Sequence, residues 1–190
     1  MNQKSTLSWT IFVSIFIVLN FGIGYAAEFE IEDIITAIKK DIQTVMMTRT
    51  GSPNFEIENV KVGLTVVSSV TQIGSLVINV AGFDHETPSR TPKAGAYHKL
   101  SLSFTPSETP GFSPESSFGL VVPINKIISS LKKAYNNPPS SKLDTLKITL
   151  KFAIEKERDG GFNFNIVDVI NLKSRNIAIH SVTLSMKLAN

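Results

Sequence analysis

The chain has 190 residues, 42% of them hydrophobic and 18% charged, with a formal net charge of +3 and no cysteine. The missing cysteines exclude disulfides, thiolate metal sites and a cysteine nucleophile. So small a positive excess gives no footing for nucleic-acid binding, and the length is enough to bury a core without covalent staples.

In chain order, the first feature is Lys4 followed by the apolar run Trp9 to Ile23, then Gly24, Tyr25, Ala26 and Ala27. A basic start, an apolar stretch too short for a comfortable membrane span and a small-residue end describe a secretory signal peptide. Cleavage is expected after Ala26, with Gly24 and Ala26 in the two small pockets. Removing residues 1–26 takes away only Lys4 among the charges and leaves 18 basic against 16 acidic residues.

Next comes an amphipathic helix. Ile31, Ile34, Ile35 and Ile38 follow the i, i+3, i+4, i+7 spacing that places apolar side chains on one face, and Ile42 and Val45 extend the stripe. Glu28, Glu30, Glu32 and Asp33 crowd the start, where the helix dipole favours anions. Gly51-Ser52-Pro53 stops it. Three strands are expected to follow: one over Ile57 to Val66, one over Leu76 to Val80 after a turn at Gly74, and one over His98 to Phe104. In the last, Leu100, Leu102 and Phe104 would face the helix, while Lys99, Ser101 and Ser103 face solvent. Short turns suggest an antiparallel meander.

After a Pro- and Ser-rich connection, the order recurs. Ile124, Ile127, Ile128, Leu131, Lys132 and Lys133 repeat the first helix at an offset of 93, with Pro123 suited to the first turn. Leu143 to Phe152 repeats Ile57 to Val66 at an offset of 86, and Phe162 to Ile166 repeats Leu76 to Val80. Both copies of the first strand share an out-of-phase step, between Ile57 and Val60 and between Leu143 and Leu146, which points to a bulge. His180 to Met186 repeats His98 to Phe104 at an offset of 82. Phe118-Gly119-Leu120-Val121-Val122 is apolar enough for a short extra strand.

Phe55-Glu56-Ile57-Glu58-Asn59-Val60-Lys61-Val62-Gly63-Leu64 resembles the first-strand pattern of the trypsin-co-occurring domain, second type, and His98-Lys99-Leu100-Ser101-Leu102-Ser103-Phe104-Thr105-Pro106 resembles its closing strand. The resemblance covers about residues 28–106, and the second copy matches more loosely. It implies a small bacterial domain found beside trypsin-like peptidases, engaged in recognition or regulation, with no catalytic residues to transfer. That family is usually met as a single copy without a clear export signal, whereas here two copies are expected behind one.

No residue set forms a recognisable active site. His98 and His180 hold equivalent positions near the start of a strand, as duplication alone would place them. Asp84-His85-Glu86 mixes acid and imidazole, but adjacent side chains alternate across an extended chain and do not converge on one metal. No Gly-x-Ser-x-Gly elbow or phosphate-cradling glycine loop is present. Glu155 and Glu157 beside Lys156 and Arg158 read as a solvated hairpin end. The candidate binding residues are Ser89, Arg90 and Lys93 in one loop and Lys173, Ser174 and Arg175 in its counterpart, a pair suited to an acidic peptide tail or another anion.

The sequence therefore predicts an α+β protein of two tandem helix-strand-strand-strand units. Its parts are a signal peptide over 1–26, a first unit over 28–106, a linker over 107–122 and a second unit over 123–190. Whether the units share one sheet or form two is left open. The expected function is a non-enzymatic binding module of the cell envelope, periplasmic or secreted, that recognises a protein or peptide partner without metal or cofactor. The alternatives are an uncleaved N-terminal anchor, a carrier or sensor of small amphiphiles with an apolar cavity of several hundred cubic ångströms, and a hydrolase built around the histidines.

Overall fold

The computed structural model of the chain describes residues 14–17, 27–48, 55–70, 73–84, 96–107, 117–135, 145–167 and 177–188. The fold is mixed α+β and mostly sheet. Two short strands, β1 (Ser14–Ile17) and β2 (Ala27–Phe29), precede helix α1 (Ile31–Thr48). Strands β3 (Phe55–Val70), β4 (Leu76–Gly82) and β5 (Ala96–Phe104) follow. Helix α2 (Val121–Tyr135) then leads into β6 (Thr145–Lys156), β7 (Phe162–Ile166) and β8 (His180–Leu188).

All strands join one antiparallel sheet, in the order β1-β5-β3-β8-β6-β7, with β4 pairing the far end of β3 and β2 pairing β4. The question of one sheet or two is thereby answered. The two halves are joined where β3 pairs β8, with Val62 opposite Val182 and Phe55 opposite Leu188.

Both helices pack on one face. Alternate residues of β3 (Val60, Val62, Leu64, Val66), β6 (Ile148, Leu150, Phe152, Ile154) and β8 (Val182, Leu184, Met186) share a single core with Ile34, Ile38, Ile42 and Val45 of α1 and Ile124 and Ile128 of α2. Alternation sends one set of side chains to the helices and the other set away. Each fully buried aliphatic side chain contributes roughly 1.5–3 kcal/mol. A smaller cluster of Val67, Ala81 and Ala178 is separate from this core. Among the described residues, no helix is long and apolar enough to cross a membrane.

The bulge expected from the phase step is present in β3. Ile57 faces Met186 and Asn59 faces Ser185, so Glu58 is the extra residue. Positions 143 and 144 of the counterpart lie outside the described residues. Gly74 and Gly160 adopt φ values of 82° and 91° at the tight turns that the sequence marks.

Two expectations need correction. The strands are not a meander: β3 lies between β4 and β5, and β6 between β7 and β8. Only the β3–β4 and β6–β7 connections are short. The stretches over 83–95 and 167–179 are long enough to pass across the central strand, so sequence neighbours need not be sheet neighbours. The segment Phe118 to Val122 is not a strand either. Val121 and Val122 open α2, and Phe118 to Leu120 form its lead-in.

Candidate functional site

Three arrangements of polar groups stand out, and the first is structural. Asp41 lies on the apolar stripe of α1 and is 1% exposed. Its carboxylate accepts the backbone N–H of Phe118 at 2.9 Å and of Leu120 at 2.8 Å. Leu120 is the cap of α2, since its carbonyl accepts the Ile124 N–H. A carboxylate from one helix thus satisfies donors at the start of the other, which that helix leaves unpaired. Burial raises the pKa of Asp41 above the usual carboxylate value, and the bonds from Phe118, Leu120 and Ser117 pull it back down.

The second arrangement surrounds His180. The ring is 1% exposed, and its Nδ1 accepts the Thr65 backbone N–H at 3.2 Å. Nδ1 is therefore unprotonated and the neutral ring carries its proton on Nε2, which is buried without a partner. Burial lowers the pKa of His180 to about 3, and the Lys99 charge adds to the effect. The Ala81 carbonyl pulls the other way, but this contact is too loose to count as a hydrogen bond. Lys99 Nζ donates to Thr65 Oγ1 at 2.6 Å and to the Ile179 carbonyl at 3.4 Å, and Thr65 Oγ1 donates to the same carbonyl at 2.9 Å. Burial lowers the Lys99 pKa as well. This cluster ties the chain just before β8 to β3 and β5.

His98 does not match its counterpart. Its Nε2 meets Ser68 Oγ at 2.9 Å. A serine–histidine contact is the beginning of a nucleophile–base pair, but among the described residues no acid orients the ring: His98 Nδ1 is buried with no hydrogen-bond partner. The two histidines have different hydrogen-bond partners.

The third arrangement is the pair of sheet edges, which are finished differently. At β7 the Phe164 N–H donates to the Phe118 carbonyl at 2.6 Å, so the lead-in to α2 seals that edge. Gly119 makes the approach possible. Its φ is 114°, and a Cβ there would collide with the Phe164 carbonyl. Phe118 stacks on Phe162 with ring centroids 5.3 Å apart. At β5 only the four residues Ser14–Ile17 pair with the outer side, among the described residues.

The direction of the free groups on β5 follows from the register. Thr65 sends its N–H towards β8, to His180. Backbone groups alternate sides along a strand. Leu64 and Val66 therefore bond to their partners on β5, Leu100 and His98. Lys99, Ser101 and Ser103 consequently point their N–H and C=O groups outward, where Ser101 pairs with Ser14 and Lys99 with Phe16.

Two surface cavities accompany these features. One of about 740 Å³ is lined by Asp84, Glu155, Lys156, Glu157, Arg158, Asp159 and Asn163, the charged hairpin end expected from sequence. The other, of about 280 Å³, lies between α1 and the end of β5, with Lys39, Lys40, Phe104 and Pro106 on its walls. Among the described residues neither is lined by a histidine, and neither is the apolar cavity between helices and sheet that a carrier of amphiphiles needs. Among the described residues, no group of three or more histidines and carboxylates is placed to hold a metal.

Of the residues singled out from sequence, His98 and His180 are placed as above, and Asp84 is placed while His85 and Glu86 lie outside the described residues. Ser89, Arg90, Lys93, Lys173, Ser174 and Arg175 also lie outside them. Sequence reasoning missed Asp41, although a carboxylate between Ile38 and Ile42 on an apolar stripe is a visible signal. It also missed the Thr65–Lys99 contact and the unequal edges, which depend on long-range pairing. No family model matches the chain, and neither does any curated protein or solved structure.

Proposed function

We propose that the chain is an exported, non-enzymatic binding module of the cell envelope, built from two tandem helix-strand-strand-strand units, that recognises a protein or peptide partner. The observation that carries this reading is the unequal finish of the sheet. One edge is sealed by Phe118, and the other presents outward N–H and C=O groups to an extended segment. Exposed strand edges take up polypeptide by backbone hydrogen bonding.

Export is supported by the contacts that begin just after residue 26. Ala27 is 7% exposed and pairs with Gly82, and Glu28 accepts a hydrogen bond from Asn79 at 2.9 Å. Cleavage after Ala26 would leave these contacts whole. The tandem origin is supported by register. Val66 pairs with both His98 and Val80, and Phe152 pairs with both His180 and Ile166. The sequence offsets of 86 and 82 map one set of pairs onto the other.

The loops carrying Ser89, Arg90 and Lys93 and Lys173, Ser174 and Arg175 are the second contact in this reading. The resemblance of the first unit points to a partner linked to a trypsin-like peptidase. Co-purification from envelope extract tests the proposal, using the native chain and an Arg90→Ala/Arg175→Ala variant. A stoichiometric protein partner, weakened in the variant, is the expected result. Recovery of the chain in the cytoplasm, alone and uncleaved, would reject it.

A further inference from the structure

We infer that the outer edge of β5 is a strand-acceptor site for an extended apolar segment of another polypeptide that carries acidic residues on its N-terminal side. The inference rests on the reading above and gives it a site, a register and a ligand chemistry.

The seat is already shown in use. Ser14–Ile17 runs antiparallel to β5, from Ser14 opposite Ser101 to Ile17 opposite His98. Its sequence is Ser-Ile-Phe-Ile, apolar and β-branched, as a strand edge prefers. These residues belong to the segment that export would remove. The described core runs from Phe29 to Leu188, so the sheet keeps that packing when the seat is vacated. What is lost is the partner for the outward groups of Lys99 and Ser101. Edge groups of this kind invite a replacement strand.

The antiparallel register fixes the direction of the newcomer. Its N-terminal end must lie towards Phe104, three residues beyond the position of Ser14. There the edge meets the cleft of about 280 Å³ lined by Lys39, Lys40, Phe104 and Pro106. Lys39 Nζ stands 5.7 Å from the centre of the Phe104 ring. Two ammonium groups at this end favour acidic residues just before the apolar stretch. The chain's own segment lacks them: residues 1–13 hold no Asp or Glu and do hold Lys4. A partner with acidic residues at that end carries the charge that complements the two lysines, which residues 1–13 do not supply.

The test has two arms. In the uncleaved chain, which has no native cysteine, Ile15→Cys with Leu100→Cys is expected to form a disulfide under mild oxidation. These two residues are opposite each other in a pair without backbone bonds, the kind in which the Cα atoms of the two strands lie closest. Ile15→Cys with Asn165→Cys, on the sealed edge, is expected to form none. In the second arm, processed protein recovered from the envelope is titrated with a fluorescent peptide, Asp-Glu-Thr-Thr-Ser-Ile-Phe-Ile-Lys, and followed by anisotropy.

Ser101→Pro removes an outward N–H while sparing the ladder to β3, and is expected to weaken binding by about tenfold or more. Methylating the peptide amides that face β5 is expected to do the same from the ligand side, which covers the case in which the proline variant misfolds. Lys39→Gln with Lys40→Gln is expected to weaken this peptide by about fivefold and to spare one that begins Lys-Lys instead of Asp-Glu. Binding that ignores both Ser101→Pro and methylation overturns the inference. So does the absence of binding, or a dimer of the processed chain that Ser101→Pro dissociates, since the occupant would then be a second copy. If the chain proves uncleaved and the Ile15→Cys/Leu100→Cys variant forms its disulfide, the chain's own strand fills the seat and the inference falls with the export reading; if the chain is cleaved and the peptide does not bind, the inference falls and the export reading stands. If that disulfide fails to form, the edge site falls whatever the processing.

Discussion

Acid should destabilise this protein through one buried ring. His180 accepts the Thr65 N–H on Nδ1, so protonation must displace that donor and place a charge in a site that is 1% exposed, beside Lys99. The folded pKa is about 3 against an ordinary 6.5. Above pH 6.5 neither state binds the proton, and the folded form keeps its full stability. Below 6.5 the unfolded chain takes up a proton that the folded chain refuses until about pH 3, so stability falls across that window. At about 1.4 kcal/mol per unit, the loss is about 2–3 kcal/mol at pH 4.5, with a ceiling near 5 kcal/mol.

Urea midpoints at pH 7.5 and 4.5 measure this when the native chain is compared with His180→Gln. The variant offers Thr65 an amide oxygen and has no proton to gain. Carboxylates titrate alike in both proteins, so the difference between the two pH slopes isolates the ring. The native chain should lose about 2–3 kcal/mol more than the variant. Equal slopes would refute the buried, neutral ring.

Three further outcomes follow from the same contacts. Asp41→Ala leaves the Phe118 and Leu120 N–H groups without an acceptor and should cost about 2–4 kcal/mol in urea unfolding, while Asp41→Asn, which keeps one acceptor oxygen, should cost about half as much. Gly119→Ala combines a positive φ with a collision against Phe164, so it should cost more than about 1 kcal/mol and speed amide exchange at Phe164. Mass spectrometry of the exported chain should find Ala27 as its first residue.

Much of the fold was legible because it is written in local periodicity. The Ile34, Ile38, Ile42 stripe specifies α1 whatever it packs on, and the phase step at Ile57 to Val60 announces a bulge before any partner strand is known. Pairing order was not legible. Nothing near β4 says that β5 will lie on the other side of β3, because that choice depends on the long connection over 83–95 and on β8 taking the rest of the β4 side. The seal of β7 by Phe118 was hidden for a similar reason. The apolar run at Phe118 to Val122 fits a strand locally, but Asp41, almost eighty residues away in sequence, holds its amides and turns it into a helix start.

Of the candidate site, the charged hairpin at Glu155 to Asp159 was readable from alternating charges. The Ser68–His98 contact was not, since it joins two strands across a register that sequence does not print.

Photo-crosslinking in living cells tests the binding role most directly. A photoreactive residue at Ser101 or Ser103, whose backbone groups line the open edge of β5, should capture one discrete polypeptide, and the same probe at Asn165 on β7 should capture none. Capture from both edges alike, or from neither, would contradict a module that works by accepting a strand.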